Sequence, residues 1–274
     1  MSSFNYEKSI WGNGSASLKW SEPSSYRMYR ALTAIKDLPA GSKVLEVGTG
    51  AGQFIRAIKS MRPELQCLGS DISVEAISQA KTYQDGVEYS LSQENTLPYA
   101  DGAMDAVLIF DVLEHVADPK MFIKEVYRVL KKGGLLYTFV PCEGDYVSLW
   151  NVLEKLHLKK DLTRRFAGHI NYFSRRELLK LYQEAGFTTD YIRYSEHIFG
   201  QIVGVAAYFL MERASRAKKN EQLNNEAYFE DVRQQKTGRG VGRFFRNFVN
   251  SLLHLESRTL ARIPSPNIHV VLKK

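Results

Sequence analysis

The stretch from Val44 to Gly52, Val-Leu-Glu-Val-Gly-Thr-Gly-Ala-Gly, admits few folds. A mostly apolar run feeds three glycines at alternate positions, and a helical pattern of Phe54, Ile55, Ile58 and Met61 begins directly after them, at Gln53. The run reads as a buried strand, and glycines there reach dihedrals that a side chain forbids. They also let a ligand lie against bare backbone at the start of a helix. The stretch is a seat for a cofactor whose identity is open at this point.

The next apolar stretch, Leu65 to Asp71, ends on a carboxylate nineteen residues past Gly52. A parallel strand beside the first brings Asp71 to the edge that carries the turn, where it can accept bonds from both hydroxyls of a ribose. Asp71 could instead cap the helix expected over Val74 to Lys81, but Ser73 already fills that role. The spacing therefore favours an adenosine-type ligand. A Gly-x-Gly-x-x-Gly dinucleotide fingerprint is not supplied, because Gln53 and Phe54 follow Gly52.

Further strands are expected at Val87 to Leu91, Met104 to Phe110, Leu135 to Val140, Phe187 to Tyr194 and Ile268 to Leu272. Helices are expected over Ser25 to Leu38, ended by Pro39 and Gly41, and after Asp118-Pro119, a cap with a first-turn proline, stopped by Lys131-Lys132-Gly133. Ser174 and Glu177 form a capping box for another. Alternating strands and helices require parallel pairing and right-handed crossovers. The fold class is α/β: a doubly wound, mostly parallel seven-stranded sheet with a helical insertion before the last strand, ligands lying at the carboxyl ends of the strands. Residues 1–39 read as an arm, mobile to about residue 24, and a helix. Residues 40–195 with 267–274 read as the cofactor domain, 141–172 as an insertion covering the active site with a helical stretch from Tyr146 to Lys159, and 196–266 as the helical insertion.

Taken in order, Glu46 to Gly52, Asp71, Leu97-Pro98-Tyr99, Asp105, Asp111-Val112-Leu113-Glu114-His115-Val116 and Leu130 to Gly134 resemble the class I S-adenosylmethionine-dependent methyltransferases, in the small-molecule group with Leu-Pro-Phe and Leu-Glu-His signatures. Gly168 to Ser174 and Glu184-Ala185-Gly186-Phe187 extend the likeness. The resemblance implies S-adenosyl-L-methionine as cofactor and S-adenosyl-L-homocysteine as product. It implies that Glu46, Gly48, Thr49, Gly50 and Gly52 hold the methionine part, that Asp71 with Ile72 takes the ribose, and that Gln93, Glu94 and Asn95 flank the adenine; the cationic sulfonium itself favours nearby carboxylates, which Glu46 and Asp111 can supply. Many relatives carry Asp where Gln93 stands, so either Gln93 or Glu94 receives the adenine amino group.

Methyl transfer needs alignment rather than a covalent intermediate. If the acceptor is a hydroxyl, a base helps, and His115 and His169 are the candidates; for each, a structural role in its loop stands beside the catalytic one. No linear cluster of His, Cys and carboxylates has metal-ligand spacing, and no required metal is expected. Cys67 and Cys142 are too few for a disulfide framework and read as reduced thiols. The first residues hold no signal-peptide core, so the expected location is cytoplasmic, with at most peripheral contact at the inner face of the membrane.

The whole chain carries +7, but from Arg213 onward thirteen Lys and Arg face five Asp and Glu, so the remainder is close to neutral. The stretch 241–260 is basic and amphipathic, with Phe244, Phe245, Phe248, Leu252 and Leu255 near one face and Arg243, Arg246 and Arg258 elsewhere. Packing on the domain or on a twin subunit, making a homodimer through 198–260, is the preferred reading; contact with an anionic membrane is the sharper one. The acceptor is expected to be a small or lipid-linked molecule, with O-methylation ahead of C or N. Methylation of RNA or protein is the second reading, weakened for nucleic acid by the absence of an Asn-Pro-Pro-Tyr motif after the fourth strand. A non-catalytic partner that keeps the fold is the third.

Overall fold

The computed structural model describes residues 10–12, 14, 16–22, 24–158, 162–217 and 241–274. Its seven strands are β1 (Lys43–Val47), β2 (Gln66–Asp71), β3 (Glu88–Leu91), β4 (Met104–Phe110), β5 (Leu130–Pro141), β6 (Thr188–Ser195) and β7 (Asn267–Lys273). They lie in the order β3-β2-β1-β4-β5-β7-β6, with β7 antiparallel to both neighbours and every other pairing parallel. The chain winds outward from β1 in one direction and from β4 in the other, so the crevice between β1 and β4 is where such a sheet takes a ligand.

Alternation along the strands builds one core on each face of the sheet. Val44, Leu108 and Phe139 point to the side covered by α1 (Ser25–Ala34), α2 (Gln53–Met61) and α3 (Val74–Lys81), where Met28, Ile55, Ile58 and Ile77 pack. Leu45, Val107 and Leu136 point to the side covered by α4 (Pro119–Val129) and α7 (Arg175–Glu184), against Phe122, Val126, Leu178 and Tyr182. The expected caps are present. Ser73 accepts from the Ala76 amide, Asp118 from the Lys120 and Met121 amides, and Ser174 with Glu177 closes a capping box. Asp105, which the resemblance singled out, works at the opposite end of the sheet from the turn: it accepts from the Lys43 amide at 2.8 Å and from Lys131 Nζ at 2.7 Å.

Three element boundaries differ from expectation for identifiable reasons. α1 stops at Ala34 rather than Leu38 because the Arg62 guanidinium takes the carbonyls of Ile35, Lys36 and Leu38 and turns the chain early. β5 begins at Leu130 rather than Leu135, since Lys131 to Gly133 form an irregularity within the strand, between the Met104–Leu130 and Ala106–Leu135 pairs, rather than a stop before it. In the segment 141–172 the helix starts at Leu149 on a Ser148 cap, giving α5 (Leu149–Lys155), and a further helix α6 (Leu162–Ala167) follows; Lys159 lies outside the described residues.

The insertion before β7 is helical where described, with α8 (Ile198–Ala217) and α9 (Val241–Thr259), while residues 218–240 lie outside the described residues. Packing of the apolar face of α9 on the domain is not what the described residues show. Phe244, Phe245 and Phe248 are 73%, 66% and 51% exposed. The polar side faces inward instead: Asn250 donates to the Ser21 carbonyl, His254 is buried against Trp20 and the Ser25 hydroxyl, and Ser257 accepts from the Glu196 amide. The surface that α9 covers is lined by groups that need hydrogen-bond partners, and that requirement overrides the usual inward turn of the apolar face. The described part of the arm, expected to be mobile, is likewise held, with Ala16 buried and Trp20 stacked on His254 at 4.6 Å.

Candidate active site

The glycine turn joins β1 to α2, and the ends of β2 and β4 close on it. The Gly50 amide donates to Asp71 Oδ2 at 2.7 Å, and the Ser73 amide to Asp71 Oδ1 at 3.0 Å. Gly50 has φ +53°, and a Cβ there would run into the Trp11 carbonyl, which accepts from the Ala51 amide at 2.7 Å. A Cβ on Gly48, with φ +74°, would meet Val112 at the end of β4. The glycines therefore make room first for the protein's own arm and for β4. The Gly48 and Thr49 amides are engaged by the Ser70 carbonyl, and the Gly52 amide by the Thr49 carbonyl.

Glu46 is buried and turned inward, accepting from the Thr49 hydroxyl and the Ile55 amide, both at 2.9 Å. Burial pushes its carboxyl up to about 8 against those two bonds. Glu46 and Thr49 thus brace the turn from beneath. Asp71 stands half-exposed at the end of β2 with Ile72, 47% exposed, beside it. Ser92 ties the next loop to this edge by donating to the Asp71 carbonyl, and Gln93 and Thr96 exchange backbone bonds that close a small turn. Gln93 and Glu94 are exposed there, and the buried Asn95 Oδ1 has no hydrogen-bond partner. A half-exposed carboxylate, an exposed apolar neighbour and an orphaned acceptor along one edge fit the sugar and base of an adenosine-type cofactor.

Beyond β4 the chain assembles a second group of residues. Asp111 has φ +51°, a conformation uncommon outside glycine, and pairs with Arg27 of α1 at 2.5 Å. Arg27 also stacks over the Phe139 ring at 4.1 Å and lies 3.6 Å from Glu196. Leu113, Glu114 and His115 then make one tight helical turn. The 168–173 segment docks on it: the Ile170 and Asn171 amides donate to the Glu114 carbonyl, and the Asn171 side chain to the carbonyls of Leu113 and Val116. This docking brings His169 against His115, ring centroids 5.0 Å apart and nearly perpendicular.

The two rings are oriented by different partners. His115 Nδ1 donates to the Gly168 carbonyl at 3.2 Å, which sets its lone pair on Nε2. His169 Nδ1 lies 3.0 Å from Glu143, whose other oxygen accepts from the Thr163 hydroxyl at 2.9 Å. Close to both rings, Glu114 is fully buried and neither carboxyl oxygen has a hydrogen-bond partner. One ligand atom from each of Glu114, His115 and His169 lies within 4.8 Å of the others. Linear spacing hides this trio, because 54 residues separate His115 from His169.

Burial, with the field of Asp111 added, pushes Glu114 up to about 8. Burial, with His169 adding to it, pulls His115 down to about 4. Burial works against charge on His169 too, but the Glu143 carboxylate outweighs it and lifts the ring to about 9. At neutral pH the cluster thus holds a charged His169, a neutral His115 and a protonated Glu114, so His115 is the imidazole of the pair with a lone pair open to a proton.

The structure brings His115 and His169 together, and gathers Gly48, Gly50, Gly52 and Asp71 at one edge with the Gln93–Asn95 loop. Arg27, Glu143 and Glu196 escaped sequence reasoning. Their only signal was a lone charge within an otherwise apolar or irregular stretch, and their roles depend on contacts across 84, 26 and 71 residues with Asp111, His169 and Asn267.

A family model described as a methyltransferase domain matches residues 23–192. The chain is 30% identical over 156 residues, 55% of its length and 66% of the relative's, to a ubiquinone biosynthesis O-methyltransferase of Thiobacillus denitrificans. It is 33% identical over 110 residues, 39% of its length and 45% of the relative's, to the ubiquinone/menaquinone biosynthesis C-methyltransferase UbiE of Desulfotalea psychrophila. The chain spans 66% and 45% of the length of these two relatives. Among solved structures, the [4+2]-cyclase SpnF superposes with a TM-score of 0.59 at 18% identity, covering 96% of this chain and 83% of that one, a likeness of fold alone. With the family model spanning more than half of the chain over the strands that carry the glycine turn, Asp71 and the Glu114–His115 turn, the chain belongs to the class I S-adenosylmethionine-dependent methyltransferases.

Proposed function

We propose that the chain transfers a methyl group from S-adenosylmethionine to a hydroxyl of a small or lipid-linked acceptor at the Glu114–His115–His169 cluster. The observation that carries this reading is the placement of that cluster one short turn beyond Val112, which packs on the glycine turn. The cofactor supplies an activated methyl group and leaves as S-adenosylhomocysteine. Asp71 and Ile72 hold the ribose, the Gln93–Asn95 loop flanks the adenine, and the surface of the Gly48–Gly52 turn carries the methionine part. Asp111, fixed by Arg27, places a carboxylate toward the reacting centre. His115, neutral at pH 7, receives the acceptor's hydroxyl proton, and His169 orients the acceptor's oxygen.

The unpartnered Glu114 carboxylate favours a second reading of the same cluster, in which a divalent cation bound by Glu114, His115 and His169 holds the acceptor's oxygen. Such a site takes three protein ligands and keeps a position open. His169, backed by Glu143, has the carboxylate–histidine support common behind metal ligands.

The outward face of α9 supports a peripheral contact. Phe244, Phe245 and Phe248 project beside Arg243 and Arg246, all exposed, a pattern suited to an anionic lipid surface that presents a lipid-linked acceptor. A second copy of the chain is the other occupant of this face. No helix among the described residues is long and apolar enough to cross a membrane.

Five measurements test these assignments. Labelled methyl from S-adenosylmethionine should enter the small-molecule or lipid fraction of an extract; label confined to RNA or protein contradicts the acceptor assignment, and no transfer with no cofactor binding leaves a scaffold role. Calorimetry should show Asp71→Ala weakening cofactor affinity about 10- to 100-fold, the loss of one or two hydrogen bonds to a charged acceptor, and Gly50→Val abolishing it by displacing the arm; wild-type affinity in either variant rejects the donor site.

The pKa of His169 is raised from 6.5 to about 9. The pair with Glu143 therefore contributes stability that is complete below about pH 6.5 and is lost as pH rises through about 9. His169→Gln should lower the melting temperature at about pH 6 far more than at about pH 10, and an equal loss at both contradicts the charged pair. If the cation reading holds, chelation abolishes methyl transfer without altering cofactor affinity and added Mn²⁺ restores it, whereas chelator-resistant turnover leaves the proton-accepting reading. Phe244→Asp with Phe248→Asp should release the chain from acidic liposomes; unchanged co-sedimentation removes the lipid contact.

A further inference from the structure

A cavity of about 330 Å³ opens between α1, β6 and the chain that leaves α9. Its walls include Arg30, Arg193, Arg258, Arg262, Tyr26 and Tyr29, with no carboxylate among the lining residues. None of the four arginines makes an ion pair among the described residues. Arg30 faces the tyrosines Tyr29 and Tyr191 at 5.8 and 5.4 Å from their ring centroids, Arg258 faces Tyr29 at 5.0 Å and Trp20 at 5.8 Å, and Arg193 donates to the Ile192 carbonyl.

Two of these groups are deeply buried with hydrogen-bonding atoms unmatched. Arg30 is 7% exposed and its Nε has no acceptor; Tyr26 is 5% exposed and its hydroxyl has no partner. Burying a guanidinium without a carboxylate is costly, and gathering three more around it adds repulsion that stacking on aromatic rings offsets only in part. An anion in the cavity removes both penalties. Planar guanidinium forks match the paired oxygens of a phosphate, and a phenol hydroxyl supplies one more donor.

We propose that this cavity is a binding site for a phosphate ester group. It is distinct from the cofactor seat, and its occupancy does not depend on methyl transfer. Arg27, which holds Asp111, lies one helical turn before Arg30 on α1, so the bound phosphate sits next to the acceptor side of the molecule. The phosphate belongs either to a soluble phosphorylated molecule or to the headgroup of a phospholipid.

The test uses the full chain and inorganic pyrophosphate as probe. Calorimetry should show saturable binding that weakens with added salt, and Arg258→Ala with Arg262→Ala should weaken it at least about tenfold. Both arginines are exposed, so the variant keeps the fold, which an unchanged melting temperature confirms. The deeper variant, Arg30→Met, should abolish binding. Vesicles of phosphatidylcholine with phosphatidic acid separate the sources. Displacement of the protein from them by pyrophosphate, with loss of vesicle binding in the double variant, assigns a lipid headgroup. Pyrophosphate binding with vesicle binding equal in wild type and variant assigns a soluble phosphate. Pyrophosphate affinity that is immeasurable, or equal in wild type and the double variant, overturns the site.

Discussion

The hydrogen bond from the Gly50 amide to the Asp71 carboxylate, 2.7 Å long, is the contact on which the rest of this structure depends. It ties the glycine turn after β1 to the end of β2 and fixes which face of Asp71 looks into the crevice. Around it the molecule braces itself in layers. Glu46 and Thr49 support the turn from below, Val112 presses on it from β4, and the Trp11 carbonyl closes it from the arm. A positive φ at Gly50 is required because those partners occupy the space a side chain would take. The order of the sheet supplies the remainder, since only between β1 and β4 do neighbouring strands lead away in opposite directions.

Burial of charge organises the region beyond β4. Three carboxylates, Asp111 and Glu114 after β4 and Glu143 after β5, gather with the two imidazoles of His115 and His169, and each is held differently. Asp111 has a guanidinium, Glu143 an imidazole and a hydroxyl, and neither carboxyl oxygen of Glu114 has a hydrogen-bond partner. Environments that push neighbouring groups in opposite directions, His115 down and His169 up, are the pattern by which one site assigns proton donors and acceptors. The bonds from Ile170 and Asn171 to the 113–116 turn give the Gly-His-Ile-Asn stretch the structural role that the sequence offered for it.

Much of the fold was legible because it is written in local signals. The glycine turn, the Ser73 and Asp118 caps and the Ser174–Glu177 capping box each specify a boundary within a few residues of chain, and each is found where expected. What stayed hidden is non-local. Arg62 ends α1 from 24 to 27 residues away, and Glu143 reaches His169 only after the chain has passed through two further helices. The orientation of α9 misled for a related reason: amphipathicity states that two faces differ, while the choice of the buried one rests on the partners of Asn250, His254 and Ser257. Membership of the family follows from the ordered motifs. The acceptor does not, because the family's fold carries many different acceptors.

The most direct measurement is a crystal structure of the full chain grown with S-adenosylhomocysteine. The account predicts density along the β1–β2 edge, with the ribose hydroxyls on the Asp71 carboxylate, the adenine beside the Gln93–Asn95 loop and the amino-acid end against the Gly48–Gly52 turn. Density placed elsewhere, or none at saturating ligand, contradicts it.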